Sequence, residues 1–522
     1  MTLMYKSTLC HLHSLFEGPA SISGFCYEAA RAGVDIVWLS DHDTRIPGVN
    51  RYEHKFTGYQ FGTADPFAAA DVYWEQVEVT CTEADFLTSH APRTSLICRV
   101  TNDGDEWGGA SLRLKAKGNY NRRPLISRPE LILDLTTNID PQSPDTRLMI
   151  TIHLTQTPPE HQPISFSYIW GAPPKEHDLL WLPLPAPAGE NIRLPLAAAA
   201  AQLGIGREHT VLTFDIRLES RKGRAAEAVL TEIALETGIV DPYLLLQTQQ
   251  EIGKEIGRRY GVDVLAGYEI SGGPMHLTCF GADIPFFPYV AGKKPATEEI
   301  IAHVSDHGGI VSINHPFSPW KRMELTDRER WELVETRAAE FIERQAYGAR
   351  LIEIGYPEGR HGFTPEHYLK LWDLLNLAGL RIYGIGVSDA HSNVTWEKGN
   401  NYANYIASPD CEAEHLVAAM KTGRCYMADP WRVHGRLQLQ TDQGKTMGEQ
   451  QKGGFVSLVI DGVPPGAELI WVRDGEEAGS DREEGGRIES RCPLDRGERF
   501  VRAQVRDADG RLILLTNPVW LG

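Results

Sequence analysis

Histidine and acidic residues recur in this sequence in short motifs that suit metal binding. A His-x-His pair occupies 11–13, Asp-His-Asp occupies 41–43, and Glu269 precedes Asn-His-Pro at 314–316 and Ser-Asp-Ala-His at 388–391. Side chains i and i+2 of a strand share one face, so the first pair could grip one ion. Imidazole with carboxylate suits Zn, Mn or Fe. Because clustered carboxylates without a cation would repel each other and lose solvation, the motifs together indicate a metal site.

Each motif follows an apolar run that is typical of a buried strand. Residues 5–10 precede the first motif and residues 34–40 the second, and Ser21 and Gly33 are the expected N-cap and C′ residue of an intervening helix. Strand–helix alternation predicts a parallel sheet, open or closed into a barrel, whose strand ends share one rim. From about 240 the alternation continues with helices at 242–260, 297–307, 328–347 and 365–378 and strands at 264–271, 308–316, 350–357 and 381–391.

Two segments interrupt this alternation with β patterns. Within 65–238, the stretches 131–137, 149–155 and 211–220 alternate apolar and polar residues, as half-buried antiparallel strands do. We therefore expect an inserted, sandwich-like β domain over 65–238. A second β pattern over 431–522 predicts a small, separate C-terminal β domain.

Composition narrows the classes of function. The chain has 522 residues and a formal net charge of −18, from 70 acidic and 52 basic side chains. This charge disfavours extended binding to nucleic acid. No apolar run reaches the roughly 18 residues of a membrane span, the N-terminal residues lack a signal-peptide pattern, and the eight cysteines form no CxxC pair. We expect a cytoplasmic protein with a small-molecule substrate, and the oligomeric state stays open.

The motifs together resemble those of the PHP (polymerase and histidinol phosphatase) superfamily. They read HLHS, SDHD, GYEIS with a following histidine, NHP and GVSDAH. The sequences around the first two motifs, HLHSLFEGPASI and VDIVWLSDHD, together with an inserted and a C-terminal β domain, more closely resemble the CehA/McbA-type metallohydrolases. The resemblance implies an α/β fold, in which 1–64 and 239–430 form a distorted (β/α)7 barrel around two or three divalent ions.

The same resemblance implies a ligand set. One ion would be held by His11, His13, Glu269 and Asp389, a second by His42, His391 and Glu17, and a third by Glu269, His276 and His315. Many family members read HxHSxxSDG, whereas here Glu17 stands one place early. Asp41 and Asp43 would orient ligands, and the expected catalytic residues are His42, Glu269 and His391.

The expected chemistry is hydrolysis. Adjacent ions would lower the pKa of a shared water toward ~7 and polarise the substrate, so that hydroxide attacks phosphorus or a carbonyl carbon. A Ser-His-Asp triad built on Ser388 is disfavoured, because these residue types side by side do not make a triad. We predict a phosphoesterase acting on a small molecule; a carbamate or carboxylic ester hydrolase and a non-enzymatic binding protein on the same scaffold remain alternatives. Candidate substrate-binding residues are Arg45, Lys321, Arg322 and Arg360.

Overall fold

The chain forms two compact units in a computed structural model. The first unit comprises Met1–Ser14, Phe25–Thr44 and Pro242–Gly522, and the second comprises Leu15–Gly24 and Arg45–Asp241. The residues that the structure describes are 4–17, 20–43, 53–57, 72–89, 95–116, 130–154, 164–174, 180–186, 192–236, 241–290, 292–317, 325–356, 360, 362–391, 402–495 and 497–522.

The N-terminal residues form a strand, a helix and two further strands. These are β1 (Tyr5–Leu12), α1 (Ile22–Arg31), β2 (Ile36–Leu39) and β3 (Asp41–His42). The Ser21 hydroxyl accepts a hydrogen bond from the Gly24 backbone N–H at 3.0 Å, as an N-cap does. Gly33 has a φ of 67°, which ends the helix in the left-handed region where glycine meets no Cβ clash. Both predicted helix boundaries are thus confirmed.

The second unit consists mainly of strands. They are β4 (Glu53–Thr57), β5 (Val72–Val79), β6 (Glu83–Ser89), β7 (Ser95–Asn102), β8 (Gly108–Ala116), β9 (Glu130–Thr137), β10 (Thr146–Leu154), β11 (Ile164–Gly171), β12 (Leu180–Pro183), β13 (Ile192–Pro195), β14 (Val211–Ser220) and β15 (Arg224–Glu236), with helix α2 (Leu196–Gln202) before β14. One sheet has the order β12-β11-β10-β14-β8-β5, and the other has β13-β9-β15-β7-β6 with β4 beside β15. The two sheets share one apolar core, to which Leu133 and Leu230 contribute from one sheet and Ile150 and Phe166 from the other.

The remainder of the first unit begins with alternating helices and strands. They are α3 (Pro242–Tyr260), β16 (Asp263–Leu265), β17 (Tyr268–Ile270), β18 (Leu277–Phe280), α4 (Thr297–Asp306), β19 (Ile310–Ile313), α5 (Asp327–Glu343), β20 (Leu351–Gly355), α6 (Pro365–Leu377), β21 (Tyr383–Gly386), β22 (Ala403–Ala407), α7 (Ala413–Lys421) and β23 (Cys425–Ala428). Local sequence explains two helix starts: Thr326 and Glu329 form a capping box before α5, and Pro365 occupies the first turn of α6.

The C-terminal residues add nine strands. They are β24 (Leu437–Thr441), β25 (Gln450–Gln451), β26 (Phe455–Asp461), β27 (Glu468–Arg473), β28 (Glu476–Arg482), β29 (Arg487–Pro493), β30 (Phe500–Arg506), β31 (Leu512–Thr516) and β32 (Val519–Leu521). Strands β24, β26 and β29 form a separate three-stranded sheet.

Two sheets of the first unit carry the predicted motifs. The larger has the order β16-β2-β1-β22-β23-β31-β30-β27-β28, and the smaller has β21-β20-β19-β18-β17-β3. Strand β1 is parallel to β2, and β19, β20 and β21 are parallel to one another, whereas β18 is antiparallel to both neighbours. Closure into a (β/α)7 barrel stays a prediction, because the described strands pair in two sheets rather than in one continuous cylinder.

Backbone hydrogen bonds nevertheless connect the two sheets where the motifs stand. An isolated parallel bridge joins Leu12 to Ala390, and the His13 N–H donates to the Ala390 carbonyl at 2.9 Å. Within the smaller sheet, the Asp43 N–H donates to the Glu269 carbonyl, also at 2.9 Å. Segments that are far apart in sequence are therefore tied together at the backbone level.

The C-terminal strands continue the larger sheet. Strand β23 pairs with β31 in antiparallel fashion, and Tyr5 and Tyr426 share an apolar cluster with Trp471 and Val505. The sequence predicts 431–522 as a separate domain, but the structure includes these residues in the first unit. Pairing of β31 covers an edge of β23 that would otherwise be open, which a separate domain would not do.

The described helices are short or charged. The longest of them, α3, has 19 residues and includes charged residues such as Glu251 and Lys254. Within the described part of the chain, we find no helix with the length and apolar character needed to cross a bilayer.

Candidate metal centre

Most of the predicted ligands lie near the ends of strands in the first unit. His11 is the penultimate residue of β1, and His42 ends β3. Glu269 is the central residue of β17, His315 follows β19, and Asp389 follows β21. The five residues come from five separate segments of the chain, and the fold brings their side chains into one place.

Glu269 lies at the centre of this cluster. Its side chain is 1% exposed, and both carboxylate oxygens face histidines. Oε2 lies 3.0 Å from His42 Nε2, 3.4 Å from His11 Nε2 and 3.5 Å from His13 Nε2, and Oε1 lies 2.9 Å from His276 Nδ1 and 3.4 Å from His315 Nε2. One carboxylate thus contacts five of the histidines that the sequence analysis selected.

Asp389 provides a second acidic centre. Its Oδ1 lies 3.0 Å from His13 Nε2, 3.5 Å from His11 Nε2 and 3.4 Å from His391 Nδ1. Its Oδ2 accepts a hydrogen bond from the Arg360 guanidinium. The guanidinium therefore holds one oxygen, and the other faces the histidines.

The ligand atoms of several residue triads are close enough to share an ion. In each triad the atoms lie within 4.8 Å of one another. In the described part of the first unit the triads are His11–His13–Glu269, His11–His315–Asp389 and His42–Glu269–His276. The triads overlap at His11 and Glu269, so these two residues could contribute to more than one candidate grouping.

Two of the buried atoms in this cluster have charged neighbours at 3.0–3.5 Å but make no hydrogen bond of acceptable geometry. They are His11 Nε2 and Asp389 Oδ1. Leaving a buried polar atom in this state costs about 1–3 kcal/mol. A divalent cation would satisfy both atoms, and the set of imidazole and carboxylate donors fits Zn, Mn or Fe. The residues therefore fit a metal ion, although the donors alone do not identify the element.

Charges in the cluster perturb one another strongly. Burial disfavours the protonated form of His11, but the carboxylates of Glu353, Asp389 and Glu269 outweigh it and raise the pKa of His11 well above its usual value. Burial likewise opposes ionisation of the two acidic centres. Nevertheless, His11 and hydrogen bonds with nearby histidines hold the pKa of Glu269 well below its usual range, and His11, His13 and Arg360 do the same for the pKa of Asp389. Ionised carboxylates thus surround a histidine whose proton a bound cation would displace.

The backbone is strained at three of the predicted ligands. His11 has a φ of 59°, His315 of 25° and Asp389 of 50°. Positive φ is costly for residues with a Cβ and persists where the surrounding contacts enforce it. These values indicate that the position of the side chains takes precedence over local backbone preference.

Asp41 and Asp43 hold the loops beside the histidines. Asp41 accepts hydrogen bonds from the Ser14 backbone N–H at 2.5 Å and its hydroxyl at 2.6 Å, and also from the Gln249 amide. Asp43 accepts from the Ser271 N–H at 3.0 Å and from the Tyr289 hydroxyl at 2.5 Å. These contacts agree with the expected orienting role, which stays a prediction.

Two residues that the sequence analysis did not select contact the ligands directly. The Asn314 amide donates to Glu269 Oε1 at 2.7 Å. Glu353, which is fully buried in β20, lies with Oε1 2.5 Å from His11 Nδ1. A signal for Glu353 does exist in the sequence, because it is a charged residue within the apolar run 351–356.

The cluster is not equally buried on all sides. The His276 side chain is 31% exposed and the His391 side chain 41% exposed, whereas those of His11 and His13 are fully buried. A substrate would therefore approach from the side on which His276 and His391 lie.

The proposed roles of some predicted residues stay untested. Glu17 is buried but belongs to the second unit, and its ligand role stays a prediction. Arg360 contacts Asp389 and, at 3.3 Å, the Tyr356 hydroxyl, so its observed contacts are with the protein. Its role in substrate binding is untested. Arg45, Lys321 and Arg322 lie outside the described residues.

Comparisons with known proteins provide no family assignment. No protein-family model and no curated protein matches the chain. Among solved structures, a candidate metal-dependent phosphoesterase from Bifidobacterium adolescentis is 16% identical, with a TM-score of 0.18 over 32% of this chain and 77% of its own. The catalytic domain of Humicola grisea Cel12A is 12% identical, with a TM-score of 0.19 over 31% of this chain and 92% of its own. Scores this low do not establish a shared fold.

Proposed function

We propose that this protein is a metal-dependent hydrolase of the PHP type that acts on a small phosphate ester. The observation that carries the proposal is the convergence of the strand-end motifs on the carboxylate of Glu269, which lies within 3.5 Å of histidines from five positions. His11 Nε2 and Asp389 Oδ1, which are buried and make no hydrogen bond of acceptable geometry, support a cation there.

The proposed scaffold is the distorted (β/α)7 barrel. Two links support closure of the strands: the bridge between Leu12 and Ala390, and the parallel pairing of β3 with β17. Followed through these links, the proposed ring would run from β1 through the consecutive strands β2 and β3 and then from β17 to β21. The antiparallel pairings of β18 would be the distortion.

The proposed ligands fall into overlapping groups around His11 and Glu269. His11, His13, Glu269 and Asp389 would hold one ion, and Glu269 with His276 and His315 another. His42 and His391 complete the set, with Glu17 carried over from the family pattern. When bound, such ions act as Lewis acids and lower the pKa of a coordinated water.

His276 and His391 lie on the exposed side of the cluster, where substrate binding and proton transfer would take place. His391 Nδ1 lies 3.0 Å from the Asp389 carbonyl oxygen, which can only accept, so Nδ1 must be the donor. Nε2 is then the nitrogen that ligates a cation or exchanges a proton. Since His276 and His391 are the most exposed members of the cluster, we propose that they face the substrate and its leaving group.

We place the phosphoester ahead of a carbamate or carboxylic ester because the motifs resemble those of the PHP superfamily. Adjacent ions stabilise both the attacking and the leaving oxygen of an in-line displacement at phosphorus. Metal ions can likewise polarise a carbonyl group, so the metal site alone does not separate these substrates. The ester alternatives, and a binding protein without catalysis, are outcomes of the test that follows.

The first prediction concerns turnover by the metal-loaded protein. Matched nitrophenyl substrates (phosphodiester, phosphomonoester, acetate and N-methylcarbamate) should be assayed with Mn- or Zn-loaded protein. We expect a phosphate ester to be hydrolysed and His13→Ala to reduce kcat by at least about 100-fold, because one ion loses a ligand. His415→Ala is the matched control, since His415 is 55% exposed and pairs only with Asp410 among the described contacts.

Each outcome separates the alternatives. Turnover of carbamate or acetate alone, lost in His13→Ala, would replace the phosphoesterase with an ester hydrolase. Bound metal without turnover of any substrate in the panel would favour a binding role. Absence of bound metal would refute the proposed function.

A further inference from the structure

Glu353 contacts two of the proposed ligands at once. Its Oε1 lies 2.5 Å from His11 Nδ1, and its Oε2 accepts a hydrogen bond from the His315 backbone N–H at 2.6 Å. Oε2 also accepts from the Tyr356 hydroxyl at 3.0 Å. The side chain is fully buried in β20, so water does not compete for these contacts.

The contact with His11 determines which ring nitrogen faces the cluster. A carboxylate can only accept, so His11 Nδ1 carries the proton in this pair. In the neutral ring the lone pair then lies on Nε2, the nitrogen that is 3.4 Å from Glu269 Oε2 and 3.5 Å from Asp389 Oδ1. Histidine ligands of metals are commonly oriented by a carboxylate in this way.

The contact with His315 restrains the backbone of that residue. His315 has a φ of 25° and His11 a φ of 59°, and both are unfavourable for residues other than glycine. The His315 N–H has its acceptor in Glu353, which fixes the peptide in this conformation. One carboxylate thus restrains the side chain of one ligand and the backbone of another.

We propose that Glu353 is a positioning residue that sets the ring orientation of His11 and the loop of His315 for metal binding. The inference rests on the proposed metal site, but it does not depend on which substrate is hydrolysed. It applies to the His11–His315–Asp389 triad, whereas Glu353 has no described contact with the side chains of the His42–Glu269–His276 triad.

The decisive property is the number of acceptor oxygens. Glu353 accepts hydrogen bonds on both oxygens, whereas glutamine has a single acceptor oxygen and an amide that donates. In Glu353→Gln, an amide facing His11 would favour the tautomer with a proton on Nε2, which cannot ligate an ion. If the amide nitrogen faced His315 instead, it would lie against the His315 backbone N–H. Both groups are donors, so no hydrogen bond could form between them.

The second prediction tests this role through metal affinity. Mn2+ binding should be titrated calorimetrically in the full-length protein, with melting temperatures of the metal-free forms measured alongside. We expect Glu353→Gln to weaken at least one class of Mn2+ sites by about 10–100-fold. Glu353→Asp, which keeps two acceptor oxygens on a shorter side chain, should retain more affinity than Glu353→Gln.

The matched control is Glu340→Gln. Glu340 accepts from the Tyr347 hydroxyl at 2.7 Å and pairs with Arg337, and it has no described contact with the metal cluster. This variant should bind Mn2+ as the wild type does. A lower melting temperature in Glu353→Gln with wild-type Mn2+ affinity would show a purely structural role and overturn the inference. Equal losses in the Gln and Asp variants would also overturn it, because the number of acceptors would then not matter.

Failure of the proposed function is recognised separately. If the wild type binds Mn2+ but hydrolyses nothing, the hydrolase is refuted while the affinities still decide the role of Glu353. If the wild type binds no Mn2+ or Zn2+, both proposals are overturned together.

Discussion

Asn314 follows β19 and contacts Glu269 without being a proposed ligand itself. Its amide nitrogen donates to Glu269 Oε1 at 2.7 Å and to the Thr278 hydroxyl at 2.8 Å, and its oxygen accepts from the Thr278 N–H at 3.0 Å. The amide thus connects the central carboxylate to β18. At the residue scale, the geometry of the cluster depends on such neighbours as well as on the ligands.

The third prediction concerns this amide. Asn314→Ala should weaken Mn2+ binding by about tenfold, because Glu269 loses the donor that orients Oε1. Calorimetric titration measures the effect. Asn376→Ala is the control, since Asn376 is equally buried and accepts from the Ile382 N–H, away from the cluster. It should lower the melting temperature but not the affinity, and a similar loss of affinity in both variants would contradict the assignment.

At the scale of elements, helix α6 is attached to strand β30 by a buried ion pair. The Arg502 guanidinium donates to both oxygens of Asp373, at 2.9 and 2.6 Å, and also to the Gln504 side chain at 3.0 Å. The two side chains are 3% and 6% exposed. Removal of one partner would leave the other charge buried without compensation.

The fourth prediction follows from this pair. Asp373→Asn should reduce the free energy of unfolding by about 3–5 kcal/mol, because it leaves Arg502 charged and buried. The double variant Asp373→Leu/Arg502→Met should be less destabilised, since neither charge remains. Urea unfolding of Asp373→Leu, Arg502→Met and the double variant completes the cycle. Additive losses would show that the two groups do not stabilise each other.

At the scale of the whole molecule, the first unit is continuous from the metal cluster to the C-terminus. Strand β31 pairs with β23, and Tyr5 of β1 packs against Tyr426 at a ring distance of 5.1 Å. The C-terminal strands therefore complete the core that begins at β1.

The fifth prediction is that residues 1–430 do not fold on their own. Truncation would expose the edge of β23 and the apolar residues that contact 431–522, and each fully buried aliphatic side chain is worth about 1.5–3 kcal/mol. We expect an aggregated product by size-exclusion chromatography, and rescue of solubility when a fragment 431–522 is co-expressed. A soluble 1–430 fragment that binds Mn2+ as the full chain does would show instead that the C-terminal residues are an independent domain.

Much of the candidate site could be predicted because its signals are local. Histidine and acidic motifs directly after apolar strands identified His11, His42, Glu269 and Asp389, since strand ends and turn residues are readable from neighbouring positions. The helix at 242–260 was predicted to the residue, because capping and apolar periodicity act within a few turns.

The sequence by itself thus determined the donor types, their placement at strand ends and most helix bounds. Only the tertiary structure decided which side chains support them: Glu353 lies 342 residues from His11 in sequence, and Arg360 reaches Asp389 from another loop. It also decided that β31 pairs with β23. Pairings of this kind depend on long-range packing between segments, which short sequence patterns do not encode.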